Sequence, residues 1–213
     1  MRIHFFERRA VICYTPLQPH FGHVGAAFLF IDEMGSRWRK VSLKALPVYL
    51  LGGMLLYAAA PRRDLYVVGL AITALGEGLR IWAAGHLQKN REVTTTGPYA
   101  HVKNPLYLGT LLILTGLCLC AAQWTILVGG IALFALYYVP FKKKREANRL
   151  RDIFGIVWDE YDRAVPDYVP RFRPYANRGT RTWEWSRVIA NSEAETALAT
   201  LTGILLITSR FFL

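Results

Sequence analysis

The chain has 213 residues, enough for one domain, and 53% of them are hydrophobic while the net charge is +11. In a water-soluble protein such an excess of Lys and Arg would suggest nucleic acid. Here the basic residues sit beside apolar segments, so membrane topology accounts for them and no nucleic-acid partner is expected. Three cysteines, Cys13, Cys118 and Cys120, are too few for a disulfide framework, and the last two, spaced i, i+2, point to different helix faces and make no CxxC redox pair.

Residues 1–20, with Arg2, Arg8, Arg9, Pro16 and Pro19, read as a basic, irregular lead-in that lacks the apolar core and cleavage site of a signal peptide. His20 and His23 form an HxxH pair that no second cluster completes, so no metal is expected. The apolar stretch 24–31 is too short to span a bilayer and is expected at its interface or packed on the bundle. Arg37, Arg39, Lys40 and Lys44 introduce a first span at 43–60, which Pro61-Arg62-Arg63-Asp64 ends. Further spans follow at 65–87, 105–122 and 124–141. The last two are joined so tightly that they must form an antiparallel hairpin. In the third, Gly109, Ile113, Gly116 and Cys120 fall on one face, where small side chains allow a neighbouring helix to approach closely. Glu77 and Arg80 lie within the second span, three residues apart, and are expected either to face the bundle interior as functional groups or to pair with each other.

After the fourth span a helical pattern continues from Lys142 to Phe154, with Lys142, Glu146 and Leu150 on one face and Gly155 as its stop. Trp158, Tyr161 and the proline-rich stretch 165–174 make a rigid aromatic tail suited to fold back as a cover. The apolar stretch 194–213 is a fifth span, a re-entrant segment or an interfacial helix. Lys and Arg concentrate near Lys40, Lys89, Lys103 and 142–145, against only Arg62 and Arg63 on the other side, so the first side is expected to be cytoplasmic. The expected fold is an all-α bundle of about four or five spans. It divides into a lead-in at 1–42, a membrane core at 43–175, and a linker with an apolar helix at 176–213.

The functional weight falls on 97–109, GPYAHVKNPLYLG. Pro98 and Pro105 force the preceding residues out of helix, which holds Tyr99, His101, Lys103, Asn104 and Tyr107 on irregular backbone at the mouth of a membrane helix. The free N–H groups of that helix start favour anionic ligand groups. Gly76-Glu77-Gly78 lies within a span, so no soluble dinucleotide fingerprint is present, and any cofactor must sit among helix ends and the C-terminal tail.

Thr95-Thr96-Gly97-Pro98-Tyr99, then Lys103-Asn104-Pro105-Leu106-Tyr107-Leu108-Gly109, resembles the isoprenylcysteine carboxyl methyltransferase and phospholipid methyltransferase group of membrane enzymes. Glu146, Leu150, Phe154-Gly155, Trp158, Tyr161 and Val165-Pro166 supply the second block in the right order, so the resemblance covers about residues 80–170. It implies S-adenosyl-L-methionine as cofactor and a membrane lipid or prenylated acceptor, methylated on a carboxylate or on a phospholipid head group. Arg91, Glu92, Val93, Thr94, Tyr99, Asn104, Pro105, Leu106, Tyr107 and Glu146 then fall on cofactor-contacting positions. Lys142, with Arg80 and Arg145, falls at the acceptor. Four positions depart from the pattern: Lys103 and Asn104 stand for Arg and His, Ala147 for a second Glu, and Lys142 for an acceptor-facing Arg. A lysine lacks the planar fork that grips a carboxylate with two parallel bonds. Methyl transfer needs alignment and exclusion of water rather than a triad or metal, so no catalytic base is assigned. Two other readings remain: an NADPH-dependent membrane reductase of the sterol-reductase type, and a non-catalytic scaffold.

Overall fold

The computed structural model describes Leu50 and residues 52–212, with the backbone alone for 137–143. The lead-in, the stretch 24–31, the HxxH pair and most of the first half of the 43–60 span lie outside the described residues. All regular structure among the described residues is helical, as the all-α expectation requires. A short helix, α1, occupies 52–58 and stops at the break predicted around Pro61. Helix α2, Arg63–His86, starts two residues earlier than the hydropathy pattern indicates, because Asp64 in its first turn complements the helix dipole. It is long and apolar enough to cross a membrane. Helices α3, Pro105–Cys120, and α4, Trp124–Leu133, are apolar but shorter.

The seam between α2 and α3 is the backbone of the fold. A methyl group added at Gly76 would lie 2.8 Å from the Gly109 carbonyl oxygen, and one at Gly69 would lie 2.5 Å from that of Gly116. The face of small residues expected on α3 therefore meets a matching row on α2, Gly69, Thr73 and Gly76, and the two backbones touch. At the far end, Ala122 in the left-handed region (φ 55°) closes the α3–α4 link. There the N–H of Ala60 donates to Ala121 O at 3.0 Å. Leu55, Cys118, Cys120, Ile126, Leu127 and Ile207 make the core at this end.

Helix α4 does not run uniformly into the next element. A π turn, Phe134–Tyr138, connects it to α5, Val139–Phe154. Pro140 has no N–H to give the carbonyl one turn back, and the turn before it is widened. Gly155 (φ 56°) ends α5 and starts α6, Ile156–Ala164. The chain then crosses back over the 97–104 turn, forms α7, Trp185–Ala190, and enters α8, Glu193–Ser209. Helix α8 runs antiparallel beside α2. Glu193 bonds Arg80 at one end, and Thr208 Oγ1 lies 2.5 Å from the Tyr66 hydroxyl at the other.

Candidate functional site

The site is built on the irregular turn between α2 and α3. Gly97 takes φ +58°, and a side chain there would run into the His86 imidazole, whose Nδ1 lies 3.0 Å from Thr96 Oγ1. Glycine is the residue that meets both demands. Pro98, Tyr99 and Ala100 complete a 3-10 turn, Gly97–Ala100, and Pro105 opens α3 at the position where a missing N–H costs nothing. The backbone between them is satisfied by the tail. Tyr175 N–H donates to Ala100 O at 2.8 Å, Arg171 N–H to His101 O at 3.0 Å, and Lys103 N–H to Pro166 O at 2.9 Å. The proline-rich stretch thus lies on the turn as a cover, packed through Trp158, Tyr161, Val165 and Tyr175. The Tyr161 hydroxyl donates to Tyr99 O at 2.7 Å.

Beneath this cover lies a cavity of about 720 Å³. Gln88, Lys89, Asn90, Glu92, Val93 and Thr94 form one wall, Tyr99 and the 103–107 stretch the floor, and Glu146, Leu150 and Phe154 of α5 the opposite wall. Asp162, Asp167 and Tyr168 come from the cover, while Arg80, Thr110, Phe134, Asn191 and Glu193 make the end nearest the bundle. The Tyr107 hydroxyl donates to Glu146 Oε2 at 2.8 Å, which joins the two motif blocks across the cavity. Arg149, one turn further on α5, donates to the Asn90 side chain and closes the rim.

Two of the cations at the cavity, Arg80 and Lys103, are held in ion pairs. Arg80 donates from Nε and Nη2 to the two oxygens of Glu193 at 2.9 and 3.0 Å, and from Nη1 to Thr110 Oγ1 at 2.6 Å. Its partner is therefore Glu193 on α8, and both oxygens of Glu77, buried, have no hydrogen-bond partner among the described residues. Lys103, only 7% exposed, holds Asp162 at 2.6 Å and Asp167 at 3.0 Å. The lysine in place of the family arginine thus fastens the cover. Burial pushes the Tyr99 phenol well above its ordinary range, reinforced by Tyr161, Glu193 and Glu146 and only partly offset by Arg80. It stays a protonated donor.

Of the residues singled out from the sequence, Arg80, Glu92, Val93, Thr94, Tyr99, Asn104, Pro105, Leu106, Tyr107 and Glu146 line the cavity. Glu92 is also bound by Arg181 at 2.7 Å. Arg91 and Arg145 are exposed and do not line it. Lys142 sits on α5 one turn before Glu146, and its side chain lies outside the described residues. The sequence reading missed Asp162, Asp167, Tyr168, Asn191 and Glu193. Their only local signal is a scatter of polar residues in the tail. Among the described residues no group of three or more His, Cys, Asp or Glu side chains is placed to hold a metal ion.

Residues 51–156 match the family model described as phospholipid methyltransferase. Over that stretch the chain belongs to the phospholipid methyltransferase family. The stretch takes in α2 to α5 and both partners of the Tyr107–Glu146 bond. The chain is 31% identical over 119 residues to the cobalt-zinc-cadmium resistance protein CzcN of Cupriavidus metallidurans, covering 55% of this chain and 52% of that one. It is 29% identical over 116 residues to the nickel-cobalt-cadmium resistance protein NccN of Alcaligenes xylosoxydans xylosoxydans, covering 54% and 52%. The chain spans about half the length of these relatives. No solved structure matches it.

Proposed function

We propose that this protein transfers a methyl group from S-adenosyl-L-methionine to a lipid-like acceptor, with both held in the cavity under the cover. The observation that carries the reading is the Tyr107–Glu146 hydrogen bond, which unites the two motif blocks at a cavity of the size small-molecule cofactors occupy. In this reading α2, α3, α4 and α8, with the 43–60 segment, make a bundle of four or five spans, and the cavity opens at the cytoplasmic face.

The residues present suit the cofactor. Glu146 offers a carboxylate oxygen to ribose hydroxyls, and the 88–94 wall supplies polar backbone. The Tyr99 and Tyr107 rings offer π faces to a sulfonium. S-adenosyl-L-methionine supplies an activated methyl group when bound. The chain's own part is to align the acceptor, and the cover excludes water from the cavity. At the acceptor end Arg80 is bound through two of its nitrogens to Glu193 and through the third to Thr110, so it leaves no free fork to grip a carboxylate. That favours head-group methylation over carboxyl methylation.

Calorimetric titration of the detergent-solubilised protein with S-adenosylhomocysteine should give saturable binding, and NADPH should give none. Binding of NADPH alone would overturn the methyltransferase reading.

A further inference from the structure

Phe172, at the tip of the cover, is fully exposed (102%), and Val169 is 77% exposed. Neither lies on loose chain. Backbone bonds at Lys103–Pro166, Arg171–His101 and Tyr175–Ala100 pin the segment on both sides. The Arg171 guanidinium donates to Ala164 O at 2.7 Å and closes the 164–171 loop upon itself. The fold therefore holds two large apolar side chains outward on a braced loop, flanked by exposed Arg163 and Arg173.

The loop sits where the apolar helices begin. Asn104, the residue before α3, donates to Asp167 O at 3.3 Å. The Tyr168 ring meets Phe134 edge-on, with centroids 5.9 Å apart. Helix α3 rises about 24 Å from the shared turn, and the ten-residue α4 about 15 Å. Phe134 thus lies below the level at which α3 starts, and Tyr168 reaches down to it along the bundle wall. Outward apolar side chains at that level, with arginines beside them, match the interface of a membrane that carries anionic head groups.

We propose that residues 168–173 are an interfacial anchor: Val169 and Phe172 enter the acyl layer, Arg163 and Arg173 meet anionic lipid head groups, and the Phe134–Tyr168 edge of the cavity is thereby presented to the bilayer. This rests on the reading of α2 to α4 as membrane spans.

The test uses the full chain with Cys13→Ser, reconstituted in vesicles of phosphatidylcholine and phosphatidylglycerol. Cys118 and Cys120 are buried and leave the labelling chemistry to the introduced thiol. A nitroxide is attached in turn at Phe172→Cys, at Leu75→Cys on the outer face of α2, and at Asn177→Cys on the exposed strap. Relaxation by oxygen is compared with relaxation by a water-soluble nickel chelate. The label at 172 is expected to resemble that at 75, with oxygen favoured several-fold more than at 177. Adding Arg163→Glu and Arg173→Glu is expected to move the 172 label towards the aqueous values. An aqueous signal at 172 beside a lipid signal at 75 overturns the anchor and leaves the membrane reading intact. Aqueous signals at both overturn the two together. A lipid signal at 172 that the two charge reversals leave unmoved overturns the head-group half of the proposal.

Discussion

Glu146 is the residue whose chemistry is most sharply defined. One of its oxygens accepts the Tyr107 hydroxyl, which orients the carboxylate and leaves the second oxygen for a ligand. Such a group contributes affinity rather than proton transfer. Glu146→Gln keeps the shape and removes the charge, so S-adenosylhomocysteine binding should weaken about tenfold, the scale of one charge-assisted hydrogen bond. Calorimetry on the folded variant measures this directly, and unchanged affinity would remove Glu146 from the cofactor site. That residues 107 and 146 belong together was expected from the sequence because both lie in motif blocks of known order, but their hydrogen bond to each other was not. Nor was the role of Lys103. Its partners, Asp162 and Asp167, stand about sixty residues away, and an ion pair at that separation leaves no local periodic trace. From the sequence the lysine is only a departure from the family pattern, whereas the structure uses it to fasten the cover.

At the scale of elements, the α3 half of the α2–α3 seam was legible and the α2 half was not. Gly109, Ile113, Gly116 and Cys120 repeat at helical spacing within an unbroken apolar run, whereas Gly69, Thr73 and Gly76 share their helix with Glu77 and Arg80, which drew attention to charge. The docking of α8 shows the same limit more strongly. Arg80 and Glu193 are 113 residues apart, and only the fold reveals that the pair fastens α8 to α2. Side-chain exposures of 13% and 4% make this a largely buried pair, so removing one partner strands the other charge. Arg80→Leu or Glu193→Leu alone should each cost about 3 kcal/mol of stability, while the double variant should recover much of the loss. Thermal unfolding of the three variants in detergent reads the coupling. Additive losses would show that the two side chains do not depend on each other. The π turn also escaped the sequence reading, since Pro140 predicts a defect in the helix without specifying which kind.

For the whole molecule the open question is which side of the membrane carries the cavity. Both motif blocks lie at the end of the bundle where α2 finishes and α3 begins, because the 97–104 turn and the cover are bonded to each other there. Lys89, Arg91, Lys103, Arg145, Arg149 and Arg151 gather at that same end, while Arg62, Arg63 and Arg210 belong to the opposite one. Loops rich in Lys and Arg are retained on the cytoplasmic side, and here that bias coincides with the end that carries the cavity. The lead-in adds more basic residues, but the helices α2 and α3 and their connecting turn already set the asymmetry. In intact cells expressing Cys13→Ser protein, a membrane-impermeant thiol reagent should therefore leave Asn90→Cys and Arg145→Cys unlabelled. It should label Arg62→Cys, which is exposed at the opposite end. Permeabilised cells should label all three, which verifies that each thiol is reachable. Labelling of positions 90 and 145 but not 62 in intact cells would invert the topology and place the cavity away from the cytoplasmic cofactor pool.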